Sequence, residues 1–362
     1  MNTDKRKQRS YPCSSVFIGG SSLCSPKPGA HSEKLLDWYR LGHRDLPWRR
    51  TDDPYRIWVS EIMLQQTRAQ AVIPYYERFL ERFPTVEALA AAAEEDVLAL
   101  WSGLGYYSRA RNLRRAAQQI AAADAFPRDY EAIRALPGIG DYTAAAIASI
   151  AFQLPYAVLD GNVLRVVARV ENDASNIASL RTRERFREVA QGWLDPRYPG
   201  LFNQALMELG ATVCLPRKPL CLVCPLTDMC RAREAGIAAQ LPVKLRKTAA
   251  VQLEGTLLIV RRGGRILLRQ REAAARRMAG FWDLPAPEDL PAARIGKHFG
   301  EIRHTITHHH YTLAVMAASG IPPKSGSKAP PGPQFGWFRS SELAEIPLST
   351  TARKALKLAE IL

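Results

Sequence analysis

The chain reads Leu136-Pro137-Gly138-Ile139-Gly140-Asp141-Tyr142-Thr143 and then, one predicted helix later, Val158-Leu159-Asp160-Gly161-Asn162-Val163. Glycines in such a turn leave backbone N–H groups open at the start of a helix, where the helix dipole adds partial positive charge. We therefore predict that the backbone at Gly138 and Gly140 binds a phosphate. Asp160 precedes apolar residues at helical spacing, so it is predicted to cap the next helix.

The charge balance indicates an acidic partner. The 362 residues include 50 Lys and Arg against 35 Asp and Glu, a formal charge of +15. Nucleic acid is the partner that this excess favours, because phosphate contacts by Lys and Arg supply most sequence-independent affinity. A basic surface kept only for solubility is the alternative. No apolar run approaches the ~20 residues that cross a bilayer, so we expect no membrane association and a cytoplasmic, nucleoid-associated protein.

Composition divides the chain into four parts, which fits two domains at this length. Residues 1–30 are basic and rich in Gly, Ser and Pro, which predicts a disordered tail. Residues 31–236 carry Ala-rich amphipathic patterns that predict helices. Residues 237–250 are predicted to form a basic linker, and the pattern of 251–362 is that of a β-containing domain.

The last part of the chain contains a clear hairpin signal. Two β-type runs, Leu253–Arg262 and Arg265–Arg271, flank Gly263-Gly264. We further predict a single strand over Thr305–Ala318 and a closing helix over Thr351–Leu362.

Four of the six cysteines fall in one short segment, at Cys214, Cys221, Cys224 and Cys230. Disulfides are not expected in an intracellular, helix-rich chain of this size. Four thiolates so close together predict a metal centre, and their spacing leaves zinc and an iron–sulfur cluster both open.

A second carboxylate lies on the helix that Asp53-Pro54 is predicted to open. Ile57, Glu61 and Leu64 share one face of that helix, which places Glu61 in an apolar stripe. Burial of this kind raises a carboxyl pKa and suits a general acid near neutral pH. A solvated Glu at the edge of the stripe is the alternative.

Three motifs of this chain resemble motifs of the MutY-type adenine DNA glycosylases, which belong to the helix-hairpin-helix glycosylases. The three are Leu46-Pro47-Trp48-Arg49, Trp58-Val59-Ser60-Glu61-Ile62-Met63-Leu64-Gln65-Gln66-Thr67 and Gly103-Leu104-Gly105-Tyr106-Tyr107-Ser108-Arg109. The resemblance runs from about Ser32 to Cys230, with the motifs in the family's order. It implies a mainly α helix-hairpin-helix glycosylase domain whose four cysteines hold a 4Fe–4S cluster. It also implies a C-terminal α+β Nudix-like domain.

The resemblance gives the two carboxylates different tasks. Glu61 would protonate adenine at N7, and Asp160 would stabilise or briefly trap the sugar cation before water attacks, as an oxocarbenium-like transition state requires. Tyr142 and Asn162 would support this site by hydrogen bonding. Tyr142 also stands where relatives that cut the strand carry a nucleophilic Lys, so we expect a monofunctional enzyme.

Other residues would contact the DNA around the reacting base. By the same resemblance, Trp48 and Arg49 line the adenine pocket. Gln66 and Tyr106 would fill the gap left by the extruded base and insert beside the base that was paired with it. Stacking of these side chains on the bases would offset part of the free-energy cost of extrusion.

Phosphate contacts are implied at two places. One is the backbone around Gly138 and Gly140. The other is the loop between the first two cysteines, where Arg217 and Lys218 would touch DNA phosphates. A solvated loop is the alternative for these two cations.

The second domain fits a Nudix-like outline in Gly280-Phe281-Trp282-Asp283-Leu284-Pro285 and Arg303-His304-Thr305. No cluster of glutamates for Mg²⁺ follows the first of these words, so we expect recognition of 8-oxoguanine without pyrophosphatase activity. The chain departs from the family at Ile306-Thr307-His308, where Phe-Ser-His is expected. Thr307 keeps a hydroxyl that would hydrogen-bond the oxidised base, and His308 would contact it as well.

These inferences favour a monomeric adenine DNA glycosylase of base excision repair. Its substrate would be double-stranded DNA in which adenine is mispaired with 8-oxoguanine or guanine, and it would hydrolyse the N-glycosidic bond. A bifunctional glycosylase and lyase of the endonuclease III type is one alternative, against which Tyr142 and Glu61 both count. A non-catalytic iron–sulfur DNA-binding protein is the other.

Overall fold

The computed structural model describes residues 29–245, 251–272, 278, 280–306, 308–319 and 334–362. Nearly all of the predicted tail, the end of the predicted linker and Thr307 lie outside these residues. Within the described ranges, no helix has the length and apolar character needed to cross a membrane.

Helices form the first part of the molecule, as the sequence predicts. They are α1 (Ala30–Leu41), α2 (Pro54–Leu64), α3 (Ala69–Arg82), α4 (Val86–Ala91), α5 (Glu94–Trp101), α6 (Ser108–Ala122), α7 (Tyr130–Arg134), α8 (Asp141–Phe152), α9 (Gly161–Val170), α10 (Leu180–Trp193), α11 (Pro199–Thr212) and α12 (Arg231–Glu234). Their apolar faces share one core, in which Trp58, Phe79, Trp101 and Phe202 are fully buried. Burying this much apolar surface is the main force holding the helices together.

A tight turn joins α7 to α8 and completes a helix-hairpin-helix. Gly138 has φ 79°, and a Cβ there would lie 2.6 Å from the Cβ of Asn112, so this position requires glycine. Gly140 caps α8 without a side-chain hydrogen bond. No capping side chain therefore satisfies the first N–H groups of α8. A helix end that binds a phosphate needs N–H groups of this kind.

In the residues that the structure describes, the second part is a mixed sheet covered by one α-helix. Its strands are β1 (Val251–Arg262), β2 (Arg265–Gln270), β3 (Trp282–Asp283), β4 (Arg294–Ile306), β5 (His309–Ser319) and β6 (Gln334–Arg339), and its helix is α13 (Thr350–Leu358). The order is β3-β2-β1-β5-β4, with β6 also paired to β2. β1 and β5 run parallel, and the other pairs are antiparallel. This is the predicted α+β architecture.

The hairpin at Gly263-Gly264 is confirmed, because β1 and β2 flank the pair and both glycines have positive φ, 56° and 73°. The prediction of a single strand over Thr305–Ala318 is wrong. The chain reverses between Ile306, the last residue of β4, and His309, the first of β5, and these two residues pair. The connection lacks Gly, Pro and Asn, so the sequence there shows no turn signal.

The two parts pack against each other next to the loop that follows α5. Phe281 is buried in the core of the helical part, with its ring centre 3.9 Å from that of Tyr107. Ser102 Oγ donates a hydrogen bond to the carbonyl of Leu348 (3.0 Å) and accepts one from Arg353 Nη2 (3.0 Å). The sheet domain thus holds both ends of the Ser102–Tyr107 loop.

Candidate active site

Glu61 is held on the inner face of α2. The helix begins as predicted, with Asp53 Oδ1 accepting the Tyr55 N–H at 2.8 Å and Pro54 in the first turn. Only 4% of Glu61 is exposed, and its Oε2 accepts a hydrogen bond of 2.7 Å from the Tyr142 hydroxyl of α8. The alternative of a solvated Glu61 is therefore excluded.

Burial raises the pKa of Glu61 to about 7. The hydrogen bond from Tyr142 opposes this rise, and the charge of Asp160 adds to it. Burial and these same carboxylates raise the pKa of Tyr142 well above its ordinary value, so Tyr142 keeps its proton as a donor. At neutral pH, Glu61 can therefore carry a proton and give it up.

Asp160 caps α9, as the sequence predicts. Its Oδ1 accepts the Val163 N–H at 2.7 Å, and its Oδ2 accepts a hydrogen bond of 3.0 Å from the Asn162 side chain. Burial raises the pKa of Asp160, and the hydrogen bonds from Val163 and Asn162 oppose that rise. The carboxylate is fixed in position by the start of the helix that it caps.

One cleft brings together much of the sequence-predicted site. The residues that line it include Trp48, Arg49, Glu61, Gln66, Gly140, Tyr142, Asp160 and Asn162. Other predicted residues lie outside its walls, namely Tyr106, Gly138, Arg217, Lys218 and His308. A cleft of this kind, in which the buried Glu61 and the partly buried Asp160 lie among arginine side chains, can admit an extruded base.

α9 connects this cleft to the cysteine segment. Arg165 Nη2 donates to Asn162 Oδ1 (2.9 Å), and Arg165 Nε donates to the carbonyl of Cys214 (2.7 Å). Asn162, which contacts Asp160, is thus oriented by a residue that also contacts the first cysteine.

The four cysteines line one cavity together with the buried Arg169. Arg169 Nη1 donates to Cys214 Sγ at 3.2 Å and to the carbonyl of Leu215 at 2.7 Å. Arg169 thus holds both the sulfur of Cys214 and the backbone of the next residue. Among the described residues, no three His, Cys, Asp or Glu side chains are placed to hold a single metal ion, and none of the four cysteines forms a disulfide. Four cysteine sulfurs around one cavity are a donor set that an iron–sulfur cluster takes.

Known families match three parts of the chain. Residues 59–191 match the HhH-GPD superfamily of base excision DNA repair proteins, residues 214–230 the iron-sulfur binding domain of endonuclease III, and residues 255–358 the NUDIX domain. Two relatives extend over nearly the whole chain. The adenine DNA glycosylase of Mus musculus is 33% identical over 91% of this chain and 78% of its own length. That of Homo sapiens is 34% identical over 90% and 73%.

The chain belongs to the adenine DNA glycosylase family. A solved thermostable thymine-DNA glycosylase is similar to part of this glycosylase, with 30% identity and a TM-score of 0.52 over 56% of this chain and 95% of that one. The iron–sulfur match confirms the predicted 4Fe–4S cofactor, and the NUDIX match confirms the Nudix-like second domain.

The sequence did not reveal what positions Arg49 of this glycosylase. The buried Glu208 of α11 accepts hydrogen bonds from Arg49 Nη2 (2.7 Å) and Arg44 Nη2 (2.6 Å). Burial alone would raise the pKa of Glu208, but these guanidinium groups lower it to about 2. Glu208 belongs to no motif and lies far along the chain from both arginines, so no local signal could have identified it.

Proposed function

We propose that this glycosylase removes adenine mispaired with 8-oxoguanine or guanine from double-stranded DNA, as a monofunctional hydrolase of base excision repair. The observation that carries the proposal is the 2.7 Å hydrogen bond from Tyr142 to the buried Glu61, in the same cleft as Asp160. A carboxyl with a pKa of about 7 can serve as the acid for a leaving base at neutral pH.

The proposed reaction divides the work between the two carboxylates. Glu61 transfers its proton to N7 of adenine, and the N-glycosidic bond breaks with its electron pair going to the base. Asp160 stabilises the positive charge that develops on the sugar, and Asn162 holds Asp160 in place. Water then adds to the sugar carbon, and its proton passes to a carboxylate. Tyr142 offers a hydroxyl in place of an amine, so no Schiff base forms there.

The cleft and its surroundings would receive the extruded adenine and the duplex around it. Trp48 and Arg49 contact the base, and Glu208 orients Arg49. Gln66 and Tyr106 enter the gap that the base leaves in the duplex, and both are exposed for this purpose.

The remaining DNA contacts are proposed on charge and exposure. The backbone at Gly138 and Gly140 and the exposed cations Arg217 and Lys218 bind phosphates. In the Nudix-like domain, His308 and Thr307 read 8-oxoguanine. We propose two domains, 31–236 and 251–362, joined by 237–250, in a monomer that acts at the nucleoid of the cytoplasm.

The cluster is proposed to be bound by Cys214, Cys221, Cys224 and Cys230. When bound, it ties four points of one segment together and supplies no chemistry at the sugar. Arg169 donates a hydrogen bond to Cys214, the first of these four cysteines.

A single-turnover assay on a duplex with one 8-oxoguanine:adenine pair tests the proposal. We expect free adenine and a strand that stays uncut until alkali is added. Direct cleavage through a borohydride-trapped adduct would instead indicate the endonuclease III type of reaction. A bound duplex without adenine release would indicate the non-catalytic alternative.

The Asp160→Asn variant should release adenine more slowly than the wild type by a factor on the order of 10² or more. The reason is that the neutral amide cannot stabilise the sugar cation. Asn is also a good helix cap, so the fold and duplex binding should be retained. Asp53→Asn is the matched control, since it replaces a capping carboxylate on α2 that lies outside the cleft. Equal rates for Asp160→Asn and Asp53→Asn would contradict the role of Asp160.

A further inference from the structure

Arg109 lies in the first turn of α6 and contacts neither Glu61 nor Asp160 through any hydrogen bond in the described structure. Its guanidinium instead bridges two separate segments. One is the C-terminal end of α2, and the other is the loop between α5 and α6. Gln66 follows directly on the first segment, and Tyr106 lies on the second.

On the α2 side, Arg109 Nη1 donates to three carbonyls, those of Ile62 (2.6 Å), Met63 (3.2 Å) and Gln65 (2.7 Å). The last carbonyls of a helix have no partner within the helix and carry partial negative charge. A cation at this end therefore satisfies them and ends the helix at a defined residue.

On the loop side, Arg109 Nη2 donates to the carbonyls of Leu104 (3.2 Å) and Gly105 (3.1 Å). The guanidinium carbon also lies 5.7 Å from the ring centre of Tyr106 and 5.4 Å from that of Trp101. These distances fit cation–π contacts with both rings.

The two segments share an uncommon backbone feature. Gln66 has φ 60° and Tyr106 has φ 51°, values that residues other than glycine adopt rarely. Each residue directly follows one whose carbonyl accepts a hydrogen bond from Arg109, Gln65 in one case and Gly105 in the other. Because that carbonyl lies in the peptide plane that leads into the next residue, holding it fixes the direction in which Gln66 or Tyr106 leaves the protein.

The guanidinium is suited to this task, and an ammonium is not. Its planar fork presents donors in two directions at once, whereas Lys offers one compact point charge. Burial lowers the pKa of Arg109 to about 10, which still leaves it charged at neutral pH. Its Nε is buried without a partner among the described residues, so the side chain is placed by its two Nη atoms.

We propose that Arg109 is a positioning residue that joins Gln66 and Tyr106 into one rigid unit, so that both side chains enter the duplex together. This inference rests on the proposed function only in assigning these two residues to the gap left by the extruded base. Arg109 itself touches no substrate.

The first test compares Arg109→Lys with Arg114→Lys. Arg114 lies on the same helix, and its Nε donates to the carbonyl of Ala92 at 2.6 Å. The probe is a duplex with 2-aminopurine beside one 8-oxoguanine:adenine pair, whose fluorescence rises when the neighbouring base leaves the stack. We expect Arg109→Lys to reduce this rise and to slow adenine release roughly tenfold to hundredfold, and Arg114→Lys to change neither.

The second test asks whether Arg109 acts through Gln66 and Tyr106. In a chain that already carries Gln66→Ala and Tyr106→Ala, adding Arg109→Lys should slow release by less than about twofold. The same slowing in both backgrounds would overturn the proposal, as would unchanged fluorescence and rate in Arg109→Lys alone. If Arg109→Lys does not fold, as judged by its iron content, Arg109→Gln with its planar amide is taken through the same cycle.

The fluorescence rise requires binding and unstacking but no base release. A wild-type protein that unstacks the duplex without releasing adenine would overturn the proposed function. The comparison of Arg109→Lys with Arg114→Lys would still be decided by the fluorescence.

Discussion

At the scale of single residues, the cleft holds two carboxylates in different surroundings. Glu61 lies in an apolar stripe with one hydroxyl partner, whereas Asp160 receives a backbone N–H and an amide. Different surroundings give two carboxyl groups different pKa values. One can then act as a proton donor while the other stays ionised in the same site. Tyr142 completes the arrangement, because it contacts the acid while keeping its own proton.

The rate of adenine release should fall as pH rises above about 7, by about tenfold per pH unit, because ionised Glu61 has no proton to donate. Glu61→Gln should be inactive at every pH at which the protein is folded. Single-turnover rates measured across this pH range provide the check. A rate that stays level from about pH 6 to about pH 9 would show that another group supplies the proton.

The same pKa has a consequence for stability that serves as a control. The pKa of Glu61 is about 7 in the folded protein against an ordinary 4.5, so folding favours the neutral form. The free energy of unfolding gains from this preference in full below about pH 4.5. The gain, about 3 kcal/mol, is lost as the pH rises through 7. The thermal midpoint of the wild type should therefore fall relative to that of Glu61→Gln across this interval. Parallel midpoints would mean that Glu61 titrates normally.

At the scale of elements, α9 and α11 determine the position of Asn162. Their close approach depends on Gly210 of α11, since a Cβ there would lie 2.6 Å from the Cβ of Asn162 and 3.2 Å from its backbone. Asn162 cannot move freely, because Asp160 and Arg165 both hold its side chain. A single methyl group on α11 would therefore displace Asn162 and change the position of the Asp160 carboxylate at the start of α9.

Gly210→Ala should slow adenine release roughly tenfold or more, because displaced Asn162 no longer orients Asp160. It should also lower the thermal midpoint, although Ala is favoured over Gly in helices by about 0.5–1 kcal/mol. Gly192→Ala in α10 is the matched control, because a Cβ there meets nothing within 4 Å. The control should be fully active and slightly more stable. Equal behaviour of the two variants would contradict this account of α11.

Elements with local signals were predictable from the sequence, and long-range arrangements were not. Asp53 and Asp160 cap the predicted helices because capping depends on a few adjacent residues. The reversal after Ile306 was missed because its turn contains none of the usual turn residues. The contact of Glu208 with Arg49 joins distant parts of the chain, and spacing alone does not indicate such a pair.

At the scale of the whole molecule, the two domains meet at the loop that carries Tyr106. Arg109 holds this loop from within the helical domain, while Phe281 and Arg353 contact it from the sheet domain. The domain proposed to read 8-oxoguanine is therefore in direct contact with the segment proposed to enter the duplex. Through this contact, the proposed reading of 8-oxoguanine would be coupled to the proposed entry of Tyr106 into the duplex.

Phe281→Ala should weaken this contact, because loss of a buried Phe ring typically costs about 3–5 kcal/mol. We expect the variant to keep its cluster and its release of adenine opposite guanine, but to lose most of the rate advantage that 8-oxoguanine gives. The check is the ratio of single-turnover rates on the two mispairs. Phe338→Ala is the control, since it removes a ring that contacts Trp282 within the sheet domain, 4.7 Å between centres, and leaves the contact with Tyr107 in place. If both variants change the ratio equally, stability of the sheet domain, and not its contact with the helical domain, determines the preference.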